Sequence, residues 1–166
     1  IRALERYSLL ARAAGLLSLH RLVQTVARDQ MGKERIHEYG HAAVKLTAAI
    51  WPFNQYEADT WVTCTVLLPH LRAAADFAAQ YQLITAKTAR LNNEIGFYLN
   101  YFGDLSGAKP YYERALAINE QALGSDHQNE ALLQATALSL NNLGYLLDSM
   151  GQLAEARPFY ERALAI

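Results

Sequence analysis

Apolar positions along most of the chain recur every three to four residues, the spacing that lays them on one stripe of an α-helix. In the last third, Leu140, Leu143, Leu147 and Met150 form one such stripe, and Ala156, Phe159, Tyr160, Ala163 and Leu164 form a second. Gly151 separates them, in the place where a left-handed residue ends a helix, and Gly103 does the same earlier. Pro110 and Pro158 are expected in the first turn of the second helix of each pair, where a missing N–H costs little. Upstream, KERIHEYGHAAVKLTAAI (33–50) is helical in spacing and breaks at WPFN. EADTWVTCTVLLPHLRAAADFAAQY (57–81) suits a helix that kinks or restarts at Pro69. A further helix is expected from about Ile84 to Phe102. Residues 1–31 read differently: a short helix, two extended segments around Ala13, Ala14 and Gly15, then an amphipathic helix carrying Leu22, Val23, Val26 and Ala27.

Laid against itself, the sequence repeats. IGFYLNYFGDLSGAKPYYERALAI (95–118) matches LGYLLDSMGQLAEARPFYERALAI (143–166) without a gap. LNN precedes both copies, with Glu94 as one extra residue in the first. The period is about 48 residues, in the range of helical-repeat solenoids. The fold class is therefore all-α: antiparallel helical hairpins stacked as a solenoid, with a small β-hairpin near the N-terminus. Gly144 lies on the same side of its helix as the apolar stripe, where a missing side chain lets a neighbour approach closely.

The repeated motif G-Y-L-L-x-x-x-G-x-L-x-E-A-x-x-x-Y-E-R-A-L resembles the tetratricopeptide repeat. The linker NEQALGSDH and the following LNNLG are similar to repeats of kinesin light chains and their bacterial relatives. YSLL followed by LSLHRLVQ resembles the end of the winged-helix segment of bacterial STAND (NB-ARC-like) signalling ATPases, in which tetratricopeptide repeats follow directly. In that family the nucleotide-binding module lies upstream. The implied organisation is a winged-helix end over 1–31 and a solenoid over 32–166. Within the solenoid, a degenerate repeat spans 33–81 and clear repeats span about 84–123 and 129–166. The chain starts without methionine and stops inside an apolar helical pattern, so it reads as a piece of something longer.

Composition narrows the function. At 52% hydrophobic over 166 residues the chain can bury a core. A formal net charge of −1, with no Lys/Arg-rich run, offers nothing to a phosphate backbone, so nucleic acid is not an expected partner. One cysteine, Cys64, allows no internal disulfide. No apolar run is long enough to span a membrane and the amino end lacks a signal-peptide layout, so a cytoplasmic location is expected.

HEYGH (37–41) spells the H-E-x-x-H signature in which two histidines one helical turn apart hold zinc and the glutamate activates water. His37 and His41 share a helix face, but Lys33, Glu34 and Lys45 surround them and nothing marks a third ligand. The match is read as a solvated face that happens to spell the motif. No G-x-x-x-x-G-K-[ST] loop is present, and Gly32-Lys33 is followed by Glu34. Cys64 among Val62, Val66 and Leu67 reads as a small core residue. No catalytic residue, cofactor or metal is expected.

A solenoid of this kind binds on the concave face lined by the first helix of each hairpin. The resemblance carries this role to Asn141, Asn142, Tyr145, Asp148 and Ser149 in the last copy. In the earlier copy it carries it to Asn92, Asn93, Phe97, Asn100 and Tyr101. Asparagine amides can both donate to and accept from an extended peptide backbone, and aromatics add apolar area. No lysine or arginine occupies these positions, which argues against a clamp for two carboxylates. The expected function is a non-enzymatic sensor or scaffold that binds a protein or peptide within a larger signalling ATPase. The alternatives are a structural or oligomerisation arm without a ligand and, behind it, a zinc hydrolase built on HEYGH.

Overall fold

A computed structural model describes residues 10–13 and 16–166. The short helix expected before residue 10 lies outside the described residues. The remaining chain gives β1 (Leu10–Ala13), β2 (Leu16–Leu19), α1 (Arg21–Asp29), α2 (Lys33–Ile50), α3 (Asp59–Gln80), α4 (Ala86–Tyr101), α5 (Leu105–Ser125), α6 (Glu130–Ser149) and α7 (Leu153–Leu164). It divides into two compact units, Ile1–Tyr39 and Gly40–Ile166.

In the first unit β1 and β2 pair antiparallel with Leu10 opposite Leu19 and Ala13 opposite Leu16. His20 then starts α1: its carbonyl accepts from Val23 N, and its Nδ1 accepts from Leu22 N. These side-chain and backbone acceptors satisfy donors that a helix start leaves free.

The second unit is built of hairpins, and each boundary has a local cause. Thr85 caps α4 by accepting from Thr88 N at 3.1 Å, and Asn129 caps α6 by accepting from Leu132 N at 3.2 Å. Gly103 and Gly151 take φ of +82° and +77°, which only glycine adopts freely. Beyond them, Asp104 N and Gln152 N reach back to the carbonyls of Leu99 and Leu147, closing α4 and α6.

Pro110 and Pro158 differ from expectation. Asp104 caps α5 by accepting from Gly107 N at 2.9 Å, so the helix starts at Leu105 and Pro110 falls in its second turn. Pro158 lies likewise inside α7, which starts at Leu153. Pro69 lies within α3, which runs unbroken from Asp59 to Gln80.

One apolar core runs through the second unit, from Val44 and Cys64 through Leu71, Leu91, Ile95, Tyr112 and Leu140 to Leu146 and Ala156. Cys64 is fully buried, and burial pushes its thiol up. Small residues set the hairpin spacing. A Cβ on Gly96 would stand 2.8 Å from Tyr112 Cδ1, and one on Gly144 would stand 2.9 Å from Tyr160 Cε1. A Cβ on Gly40 would meet Leu83 Cδ1 first and stand 2.8 Å from Phe77 Cε1. A glycine against a tyrosine ring thus joins α4 to α5 and α6 to α7 alike.

Leu164 departs from its assigned stripe: it is 88% exposed, whereas Leu116 in the earlier copy is 6% exposed. The reason is position. α5 packs against both α4 and α6, while α7 packs against α6.

Candidate protein-binding surface

The close glycine contacts fix how α4 and α6 are turned. Gly96 and Gly144 pack inward against tyrosines, and residues flanking that line of contact reach solvent. On α6 these are Asn141, Tyr145, Asp148 and Ser149, all exposed, while Asn142 is half-buried. Leu138, two turns before Tyr145, is exposed as well. Leu138 is 56% and Tyr145 59% exposed, high values for large apolar side chains.

On α4, Phe97 and Tyr101 are exposed and Asn93 and Asn100 are half-buried. The two helices are joined by side-chain hydrogen bonds. Asn93 Nδ2 donates to Ser139 Oγ at 3.0 Å, and Asn142 Nδ2 donates to Asn93 Oδ1 at 3.3 Å. Ser139 Oγ also accepts from the buried Asn119 Nδ2 at 3.0 Å, which ties α5 into the same network. Asn93 and Asn142 therefore hold the surface together as well as lying on it.

The structure corrects Asn92. It is 1% exposed and its Nδ2 donates to Thr88 O at 2.8 Å, so it cannot meet a ligand on this face. The repeated letters LNN suggest a shift at Glu94, but Gly96 and Gly144 occupy the same place against their tyrosines. Counting back from them without a gap sets Asn93 opposite Asn141, and Asn92 opposite the equally buried Leu140.

Nothing in the residue pattern marks what lies over α4. The WPFN segment that ends α2 folds onto it: Phe53 meets Phe97 at 5.6 Å and Tyr101 at 5.7 Å between ring centroids, both edge-on. Tyr101 Oη donates to Gln55 O at 3.0 Å, and Trp61 Nε1 donates to Asn54 O at 3.1 Å. Edge-to-face pairs of this kind add to the area they bury. Part of the earlier copy's surface is thus taken by the chain itself, and the more open part belongs to α6.

The tyrosines behind the surface are shifted. Burial pushes the Tyr112 phenol strongly up, partly opposed by a hydrogen bond with the Asn100 side chain. Burial, and then the Asp148 carboxylate, push Tyr160 up. HEYGH sits on α2 with His37, Glu38 and His41 all exposed. Among the described residues no three His, Cys, Asp or Glu side chains gather where they could hold a metal. No helix among them is long and apolar enough to cross a membrane.

The hairpins stack as a tetratricopeptide-like α-solenoid, with a small β-hairpin near the N-terminus. The family model described as tetratricopeptide repeat matches residues 87–166. The chain is also similar to a "Nucleotide-binding leucine-rich repeat (NLR)-like protein" of Hyaloscypha variabilis, 29% identical over 110 residues. That match covers 66% of this chain and 11% of the relative's length. No solved structure matches.

Proposed function

We propose that the chain is a non-enzymatic protein- or peptide-binding module of a larger STAND-type signalling ATPase, related to the bacterial ones and acting in the cytoplasm. Residues 1–31 are the end of a winged-helix-like segment and 32–166 the solenoid, with the nucleotide-binding module upstream. The ligand lies along α6 and the open part of α4. The observation that carries this reading is the exposure of Leu138 and Tyr145 beside Asn141 on one helix face. Apolar anchors flanked by amides suit an extended peptide, whose backbone the amides can bond. The repeat family and the name of the relative support it.

The test is capture of partners from source lysate by the chain and by a Tyr145→Glu, Asn141→Asp variant of equal helicity. A partner identified with the parent and lost with the variant is the expected result. Equal retention, or none with either, removes the groove from the reading. Light scattering on the same samples reports whether the chain instead associates with itself.

A further inference from the structure

On the reading that a peptide lies along α6, we propose that Asp148, Tyr145 and Tyr160 hold one lysine or arginine side chain of that peptide, so that this face takes basic partners.

Charge is unevenly placed here. Of its 20 residues α6 has two that are charged, Glu130 and Asp148, both acidic, and no lysine or arginine. Glu130 has a structural reason. It lies in the first turn, where the helix dipole favours an anion, and it accepts from Gln134 Nε2 at 3.5 Å. Asp148 has no such reason. It lies in the last turn, where the dipole opposes a carboxylate and no basic residue accompanies it. The arginines of α5 and α7 are engaged elsewhere, Arg114 with Asp76, Arg157 with Glu161 and Arg162 with Glu120. Among the described residues no lysine or arginine forms an ion pair with Asp148. Its carboxylate is exposed and left for a cation from outside.

The earlier copy supplies the comparison. Counting from Gly96 and Gly144 without a gap, Phe97, Asn100 and Tyr112 stand where Tyr145, Asp148 and Tyr160 do. There the Asn100 amide is hydrogen-bonded to the Tyr112 phenol, and Phe53 of WPFN covers Phe97. In the later copy the amide becomes a carboxylate. After burial, that carboxylate is the next cause that pushes the Tyr160 phenol up, so the two groups lie close. Tyr145, one turn before Asp148 on the same face, is exposed. The hairpin forms with a neutral amide at this place, so the charge is not required for the fold. A carboxylate beside an open tyrosine ring offers a cation an ion pair and a π face together. A lysine or arginine stem can also lie along the apolar side chains of α6 while its charged end reaches Asp148.

The experiment is selection of a random peptide display library on the 166-residue chain, followed by affinity measurements with the selected peptides. These should carry a lysine or arginine near an apolar residue. Replacing that basic residue by methionine should weaken binding about ten-fold, the combined loss of an exposed ion pair and a cation–π contact. Against Asp148→Asn, which copies the earlier repeat, the same replacement should cost about three-fold or less. The thermal midpoint of Asp148→Asn should equal or exceed that of the parent, because the repulsion from the dipole is gone, and this shows that the variant is folded. Selected peptides without a basic residue, or a ten-fold loss that persists in Asp148→Asn, would overturn the proposal. In that event weaker binding of the same peptides to Leu138→Ala keeps the groove reading. Peptides indifferent to Leu138→Ala and Asp148→Asn alike, or no selected peptide, would overturn the groove reading and the proposal with it.

Discussion

Tyr112 and Tyr160 stand behind the same glycine in two copies of one hairpin, yet Tyr112 is 1% exposed and Tyr160 is half-buried. The same holds for Leu116 and Leu164. Nearly identical helices differ in burial because α5 packs against both α4 and α6, whereas among the described residues α7 packs against α6. In a stacked array, a residue's contribution is set by the adjoining repeat as much as by its own.

Exchanging what differs between the two copies should have the largest effect. Leu140→Asn places in α6 the amide that Asn92 brings to the same place in α4, and should destabilise the chain by about 3 kcal/mol in chemical denaturation, because it removes buried apolar volume and adds a polar group. A loss well under about 1 kcal/mol would mean that the site accommodates an amide freely. Next come the glycines. Gly96→Ala should cost about 1–2 kcal/mol despite the better helix propensity of alanine, since Tyr112 has no room to move. Gly144→Ala should cost less, because Tyr160 can swing outward, and equal losses would show that exposure does not measure freedom here.

The smallest effect is alkaline. Tyr112 has a folded pKa above its unfolded value, so its neutral form is favoured in the folded state. That stability is complete below about pH 10 and falls as pH rises toward the folded pKa, by about 1 kcal/mol per pH unit. Tyr112→Phe should flatten the decline in thermal midpoint between about pH 10 and 11. An unchanged decline would assign it to other groups.

Much of this architecture is legible in the residues themselves. Gly103 and Gly151 mark helix ends because glycine takes a left-handed turn without strain, and Gly144 marks a close approach because its apolar stripe surrounds it. The letters LNN misplace Asn92 because a chance match imitates an insertion, and only the packing of Gly96 against Tyr112 fixes the register. Pro110 lies a turn deeper than its residue type suggests because the Asp104 cap outweighs the preference of proline for the first turn. Phe53 on Phe97 is invisible in the letters: periodicity reads along one helix, and this contact joins a loop to a helix far along the chain.

The aromatic contacts around WPFN also decide what light can report. The chain has two tryptophans, Trp51 and Trp61, and both lie in that cluster, Trp51 at 5.2 Å from Tyr98 and Trp61 at 5.2 Å from Phe102. Their emission follows the first hairpin and α4 and is blind to α6 and α7. Fluorescence and circular dichroism would therefore trace separate curves if the last hairpin frays first, and one curve if the array melts as a unit.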